Sequence, residues 1–382
     1  MALIKRQLQT VIQDHMFRGK AIILIGARQV GKSTLFEQIL GDPELGIGKE
    51  QMLSFYCDDA ESRRMLENIN LADLRQQLAG KRLVMVDEAQ RIQGVGLTLK
   101  LITDHFKEVQ LLVTGSSSLM LQGKLNEPLT GRKFEYHLYP LSTKELFDEG
   151  GPLRIRQTFE SRLIYGSYPD VVTGVGNPRD LLMNLSGSYM YQDLLSLEGV
   201  RKPVLLEKLL VALALQVGSE VSYSELAQTV GTDNKTVEKY VDLLEKCFIV
   251  FRLNGLSRNL RNELKKAKKV YFYDNGIRNA VIQQFAPLDM RNDVGALWEN
   301  FFISERIKHN HYTGHYCNTY FWRTKTQQEV DYIEECDGMM TAFEMKWNPK
   351  KGKTTFPQAF VEAYKVKETV VVTPDNYLDW LT

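Results

Sequence analysis

Apolar residues fall into two rhythms along this chain. Between residues 20 and 145, short unbroken runs alternate with helical stretches: AIILI (21–25), LSFYC (53–57), LVMV (83–86), VQLLV (109–113) and FEYHLY (134–139). Such runs read as buried strands, and strands alternating with helices predict a parallel sheet covered on both faces. Residues 145–200 read as mostly helical, a lid on that sheet. From 204 the pattern changes to three compact helices and the strand FIVFRL (248–253), followed by KVYFYD (269–274). The remainder predicts a helix over 295–308, strands over 319–323, 329–335 and 340–347, a short helix and the strand VVVT (370–373). The expected organisation is α/β in three units, 1–200, 201–257 and 258–382.

Composition narrows this little. The 382 residues exceed what one core supports. A net charge of +1 means that any affinity for nucleic acid must come from local patches. Cys57, Cys247, Cys317 and Cys336 lie far apart with no CxxC pair, which predicts a reducing compartment and no disulfide framework. The opening MALIKRQLQT is charged too early for a signal peptide, and the apolar stretch 205–218 is interrupted by Glu207, Lys208 and Gln216. The expected location is the cytoplasm, with no membrane partner.

The first candidate chemistry sits directly after AIILI. Gly26-Ala27-Arg28-Gln29-Val30-Gly31-Lys32-Ser33 reads GxxxxGKS and opens a helix with Thr34, the context a phosphate-binding loop requires. Its glycines let backbone N–H groups converge on phosphate, aided by the helix N-terminus. Lys32 would reach the β/γ-phosphates of ATP, and Ser33 would ligate Mg²⁺. The acids ending Leu83-Val84-Met85-Val86-Asp87-Glu88 supply the partner: Asp87 for the metal, Glu88 to polarise the attacking water. The Ala89-Gln90 that follows carries no weight by itself.

Further along, VTGSSS (113–118) ends another buried strand in hydroxyls. Its position resembles the first sensor of AAA+ ATPases, with Ser116 the expected residue. Arg132, in LTGR (129–132), falls where AAA+ proteins carry an arginine finger that reaches a neighbouring subunit, implying a homo-oligomer; a helix-terminal Arg complementing the dipole is the alternative. The order of these motifs with GSYPDVV (166–172), YMYQDLL (189–195) and KVYFYDNGIRNA (269–280) resembles one group of prokaryotic AAA-type ATPases. That resemblance covers nearly the whole chain and implies an AAA-type core followed by a C-terminal domain with a nuclease-like fold.

Ser222 and Glu225 form a capping box, Gly231 makes a turn, and Asp233 or Thr232 opens a second helix. With FIVFRL as the wing, this resembles a winged helix-turn-helix. Its second helix balances Lys235, Lys239 and Lys246 against Glu238, Asp242 and Glu245, so DNA reading and a structural joint both stand. Arg258, Arg261, Lys265, Lys266, Lys268 and Lys269, against Glu263 alone, make the following stretch a candidate basic face.

Near the C-terminus, Asp337-Gly338 is a two-residue hairpin signal. Positions summing to 675 then pair, placing Asp331 opposite Glu344 and Glu329 opposite Lys346, on one face with Ile333 and Ala342. Val330, Tyr332, Phe343, Met345 and Trp347 fall on the other. Two opposed carboxylates repel unless a cation lies between them. Asp followed by Glu-x-Lys resembles the PD-(D/E)XK nucleases, which implies Mg²⁺ binding by Asp331 and Glu344, water activation by Lys346 and a helix glutamate, Glu299. An active nuclease and a nuclease fold used for binding both fit. His309, His311, His315 and Cys317 read as a polar connector, not a zinc site.

The leading expectation is an ATPase that couples turnover to action on nucleic acid. The alternative is a nucleotide-dependent switch whose C-terminal domain binds a protein partner.

Overall fold

The computed structural model of the protein describes residues 3–115, 129–190 (backbone only for 188–190), 202–256, 268–324, 326–348 and 355–382. Strands β1 (Ala21–Gly26), β2 (Met52–Tyr56), β3 (Leu83–Asp87), β4 (Gln110–Gly115) and β5 (Lys133–Leu138) form a parallel sheet in the order β2-β3-β4-β1-β5. β1, β3 and β4 are buried along their whole length, which is why their sequences do not alternate. β1 lies between β4 and β5, so its carboxyl end opens where the strand order reverses, the position at which open parallel sheets hold ligands.

The lid begins with the helix Thr143–Tyr165. Ser142 accepts the Glu145 N–H at 3.1 Å, and Glu145 accepts the Ser142 N–H at 2.9 Å, closing a capping box. Gly151, with φ of 70°, kinks the helix before Pro152. Helices Pro169–Val172 and Pro178–Asn184 continue the lid.

A second sheet gathers β6 (Glu220–Val221), β7 (Val250–Gly255), β8 (Lys268–Phe272), β9 (Asn318–Arg323), β10 (Glu329–Cys336), β11 (Met339–Met345) and β12 (Val366–Val372), in the order β12-β11-β10-β9-β7-β8-β6. The helices Tyr223–Val230 and Asn234–Lys246 have the expected turn: Gly231 is left-handed at φ 76°, and Asp233 accepts the Thr236 N–H at 2.9 Å. The strand expected as a wing has neighbours on both sides. β7 pairs antiparallel with β8 and parallel with β9, so continuous hydrogen bonding crosses the expected boundary at 257/258.

The KVYFYDNGIRNA segment locks this sheet to the lid. Asp274 accepts the Ser167 N–H at 2.7 Å, Asn275 donates to the Leu163 carbonyl at 3.1 Å, and Asn279 donates to the Ile164 carbonyl at 2.8 Å. All three side chains are buried; the two asparagines answer carbonyls at the end of the lid helix, and Asp274 answers the N–H just beyond it.

One expectation is overturned. Cys317 and Cys336 are disulfide-bonded, with Cα atoms 4.6 Å apart. Counting spacings missed the pair because antiparallel pairing of β9 with β10 brings together cysteines 19 residues apart. Cys57 and Cys247 are buried and take no part in a disulfide. Among the described residues, no helix is long and apolar enough to cross a membrane.

Candidate nucleotide site and carboxylate cluster

The loop after β1 needs its glycines for two different reasons. A Cβ on Gly26 would run into the backbone of Leu138 on β5, whereas Gly31 caps the helix Lys32–Leu40 at φ 93°. Lys32 is buried and donates to the carbonyls of Gly26 at 3.2 Å and Ala27 at 2.9 Å. Its Nζ is 4.0 Å from Glu88 Oε1. Ser33 donates to the Asp87 carboxylate at 2.8 and 3.0 Å, joining residues 54 apart in sequence. The two motifs read from the sequence therefore meet in space.

Three neighbours escaped the sequence reading. Thr114, the last side chain of β4, is fully buried, donates to Asp87 Oδ1 at 2.5 Å and accepts the Glu88 N–H at 2.9 Å. Its signal was available: it is the hydroxyl nearest the strand end in VTGSSS. Ser116 lies outside the described residues. Gln90 donates its amide to the Glu88 carboxylate, which places the set-aside Ala89-Gln90 beside the site. Arg6 donates to the Val30 carbonyl at 2.7 Å, the Tyr139 carbonyl at 2.6 Å and Glu145 at 2.9 Å, tying the phosphate loop to β5 and the lid.

A cleft of about 210 Å³ opens beside the loop, lined by Gly31, Thr34 and Gln38 and by Ile4, Pro169 and Asp170. Its position beside the phosphate loop is where a nucleoside would lie. The donors facing Ser33 and Asp87 are hydroxyl and carboxylate oxygens, the set a hard Mg²⁺ ion takes.

Arg132 lies at the opposite end of the sheet. Ala21 is opposite Lys133 and Gly26 opposite Leu138, so Arg132 stands six residues back along β5, roughly 20 Å from the loop at about 3.3 Å per residue. It cannot reach the phosphates of its own subunit. Its Nε is held 2.6 Å from Asp104 at the end of the helix Val95–His105.

The C-terminal hairpin keeps the expected register: Tyr332 is opposite Phe343 and Ile333 opposite Ala342, around a turn with Asp337 at φ 52° and Gly338 at φ 77°. A bulge against β9, between Val330 and Ile333, corrects the expected faces. Val330 joins Ile333, Trp322 and Phe360 instead of Tyr332 and Phe343. Glu329, expected to face Lys346, pairs with Lys269 at 2.6 Å and Arg323 at 3.8 Å.

Asp331, Glu344, Lys346 and Glu299 form one cluster. Lys346 lies 2.5 Å from Glu344, and the Met345 N–H donates to Asp331 at 2.9 Å. Burial and then the charge of Glu299 push the Asp331 carboxyl up from its ordinary value; burial and then Asp331 do the same to Glu344. The cluster contains two members the sequence reading lacked, both from β8. Buried Lys269 lies 3.1 Å from Glu299, and the Tyr271 hydroxyl donates to Glu299 at 2.6 Å. Burial leads both shifts and a neighbouring carboxylate follows, so positive charge, from lysine or from an ion, is favoured among these oxygens.

His309 and His311 lie within the helix Val294–Thr313 and face elsewhere. His309 Nδ1 donates to the Leu381 carbonyl at 3.2 Å, and His311 stacks on His137 with ring centres 5.2 Å apart. The basic residues Arg258, Arg261, Lys265 and Lys266 lie outside the described residues.

The N-terminal part of the chain is an AAA-type ATPase domain, a class that binds nucleotide: the profile of the AAA domain family matches residues 18–147. Two further profiles, both described as domains of unknown function (DUF8612 and DUF4143), match residues 156–288 and 294–381. An uncharacterised protein of Haemophilus influenzae is 27% identical over 275 residues, 68% of this chain and 68% of its own length. An uncharacterised protein of Mycobacterium tuberculosis is 27% identical over 359 residues, 91% of this chain and 74% of its own. Among solved structures, a replication initiator DnaA bound to AMPPCP and single-stranded DNA matches at 17% identity, covering 63% of this chain and 86% of that one, with a TM-score of 0.30. A score that low carries no weight for fold or function.

Proposed function

We propose that the protein is a magnesium-dependent ATPase that couples ATP turnover to action on nucleic acid. The observation that carries the ATPase reading is the meeting of Ser33 with Asp87 at 2.8 Å, beside buried Lys32 and beneath the lid. Ser33 and Asp87 would hold Mg²⁺, which offsets charge on the phosphates. Lys32 exchanges its carbonyl contacts for phosphate oxygens, and Glu88, held by Gln90, orients a water and takes its proton at the carboxylate. ATP hydrolysis by the purified chain tests this. Glu88→Gln should retain ATP binding while turnover falls by about a hundredfold or more; turnover at the wild-type rate removes Glu88 from the role.

Coupling to nucleic acid is supported by the convergence of Asp331, Glu344, Lys346 and Glu299 and by their resemblance to a nuclease centre. Asp331 and Glu344, with Glu299, would hold a divalent ion there, and Lys346 would orient water. The placement of Lys269 favours a second reading. Its ammonium already offsets Glu299 and Glu329, which suits a C-terminal domain that recognises a protein partner under nucleotide control. ATPase rates with and without DNA at low salt separate the two: stimulation supports nucleic acid, and an unchanged rate supports the switch.

A further inference from the structure

The tip of the β10–β11 hairpin carries chemistry that neither site uses. Cys336 ends β10 immediately before the Asp337–Gly338 turn, and Cys317 immediately precedes β9. Glu335 pairs with Asn318, so the antiparallel register sets Cys336 across from Cys317. Their Cα separation of 4.6 Å matches the close, non-hydrogen-bonded pair of an antiparallel ladder, about 4.5 Å. The sheet holds the two cysteines together whether or not they are bonded.

His315 arrives from another element. The helix Val294–Thr313 ends on left-handed Gly314 at φ 68°, and the His315 N–H donates back to the Asn310 carbonyl at 2.8 Å. That turn brings His315 Nε2 to 3.3 Å from Cys336 Sγ. The imidazole nitrogen and both sulfurs all lie within 4.8 Å of one another, with His315 exposed and the cysteines half-buried.

We propose that in the reduced protein Cys317, Cys336 and His315 bind one thiophilic divalent ion, Zn²⁺, and that disulfide formation abolishes the site. Tetrahedral Zn²⁺ with bonds of about 2.3 Å to sulfur and about 2.0 Å to nitrogen places nitrogen roughly 3.5 Å from sulfur and the two sulfurs roughly 3.8 Å apart. The His315–Cys336 distance of 3.3 Å is close to the first of these, and rotation about the cysteine side chains separates the sulfurs without moving the strands. Thiolate and imidazole ligands select Zn²⁺ over Mg²⁺, which distinguishes this site from the two oxygen-lined ones. Among the described residues no fourth His, Cys, Asp or Glu joins the group, so one coordination position stays open to solvent or an external ligand. An external dithiol opens the site by exchange. It gives two electrons, leaves as a cyclic disulfide and releases Cys317 and Cys336 as thiols; ion binding then sends their two protons to solvent.

The test uses the full chain with Co²⁺ as a spectroscopic probe and excess Mg²⁺ to occupy oxygen sites. Reduced wild type, freed of reductant, should show a thiolate-to-cobalt charge-transfer band that saturates at one ion per chain and is displaced by Zn²⁺. The band should be absent from the oxidised protein and from Cys336→Ser, and His315→Ala should bind at least about tenfold more weakly. Thermal melting checks that the variants fold, and the oxidised wild type needs no mutation at all. No band in the reduced protein overturns the proposal. So does a band that persists in Cys336→Ser or after oxidation, or an unchanged affinity in His315→Ala.

Discussion

The Thr114 hydroxyl donates to the Asp87 carboxylate at 2.5 Å while accepting the Glu88 backbone N–H at 2.9 Å. One buried side chain thus sets both the acid expected at the metal and the left-handed backbone of Glu88, whose φ is 53°. Thr114→Val keeps the shape and leaves the Glu88 N–H without its acceptor, a cost of roughly 1–3 kcal/mol. ATPase kcat should fall about tenfold or more with KM little changed, and Thr114→Ser should recover most of it. Steady-state kinetics on the three proteins decide this; a pure KM effect would count against a positioning role.

Arg132 acts only in trans if it acts on ATP at all. Turnover per subunit should then rise with protein concentration. Arg132→Ala and Glu88→Gln, each inactive, should regain activity when mixed, because some interfaces pair an intact arginine with an intact glutamate. Failure to recover despite co-assembly would leave Arg132 as the partner of Asp104 and nothing more.

The carboxylate cluster predicts a divalent-ion site on the full chain. The isolated segment 258–382 is the wrong material, because removing β6 and β7 strips neighbours from β8 and β9. Mn²⁺ titrated calorimetrically into nucleotide-free protein should show a site that Asp331→Ala and Glu344→Ala both lose. Lys269→Met should bind Mn²⁺ more tightly, since it removes a competing positive charge. Isotherms unchanged in both acid variants would remove the site.

His311 makes stability depend on pH. Burial, and then the neighbouring His137, push its pKa from the ordinary 6.5 down to about 4. Unfolded chains take up a proton as pH falls through 6.5, whereas the folded chain waits until about 4, so stability is lost on acidification across that window. By about pH 5 the loss is on the order of 2 kcal/mol. His311→Phe, which cannot titrate, should lose correspondingly less between about pH 7 and about pH 5 in urea denaturation. Equal losses in both proteins would rule His311 out as the cause.

Much of the candidate nucleotide site was legible because its chemistry is local. Gly26 and Gly31 are demanded by the backbone, Lys32 and Ser33 follow at fixed spacing, and Asp87 ends a strand whose burial shows in four consecutive apolar residues. Thr114 was missed because hydroxyls at a strand end are common, and only the approach of β3 to β4 distinguishes one of them. In the hairpin, the Asp337–Gly338 turn sets the register, but the bulge against β9 depends on a strand that the turn does not touch.

The sequence by itself determined the elements, the phosphate loop and its acids, and the pairing within the C-terminal hairpin, since each depends on residues a few positions apart. Tertiary structure decided which distant groups share a site. Lys269 and Tyr271 reach Glu299 because β8 lies beneath the helix Val294–Thr313, Arg6 grips Val30 from just before the helix Gln7–His15, and Cys317 meets Cys336 across β9 and β10. Hydrophobic periodicity specifies which face of an element is buried, but not which other element buries it. Contacts between elements therefore appear only once the chain has packed.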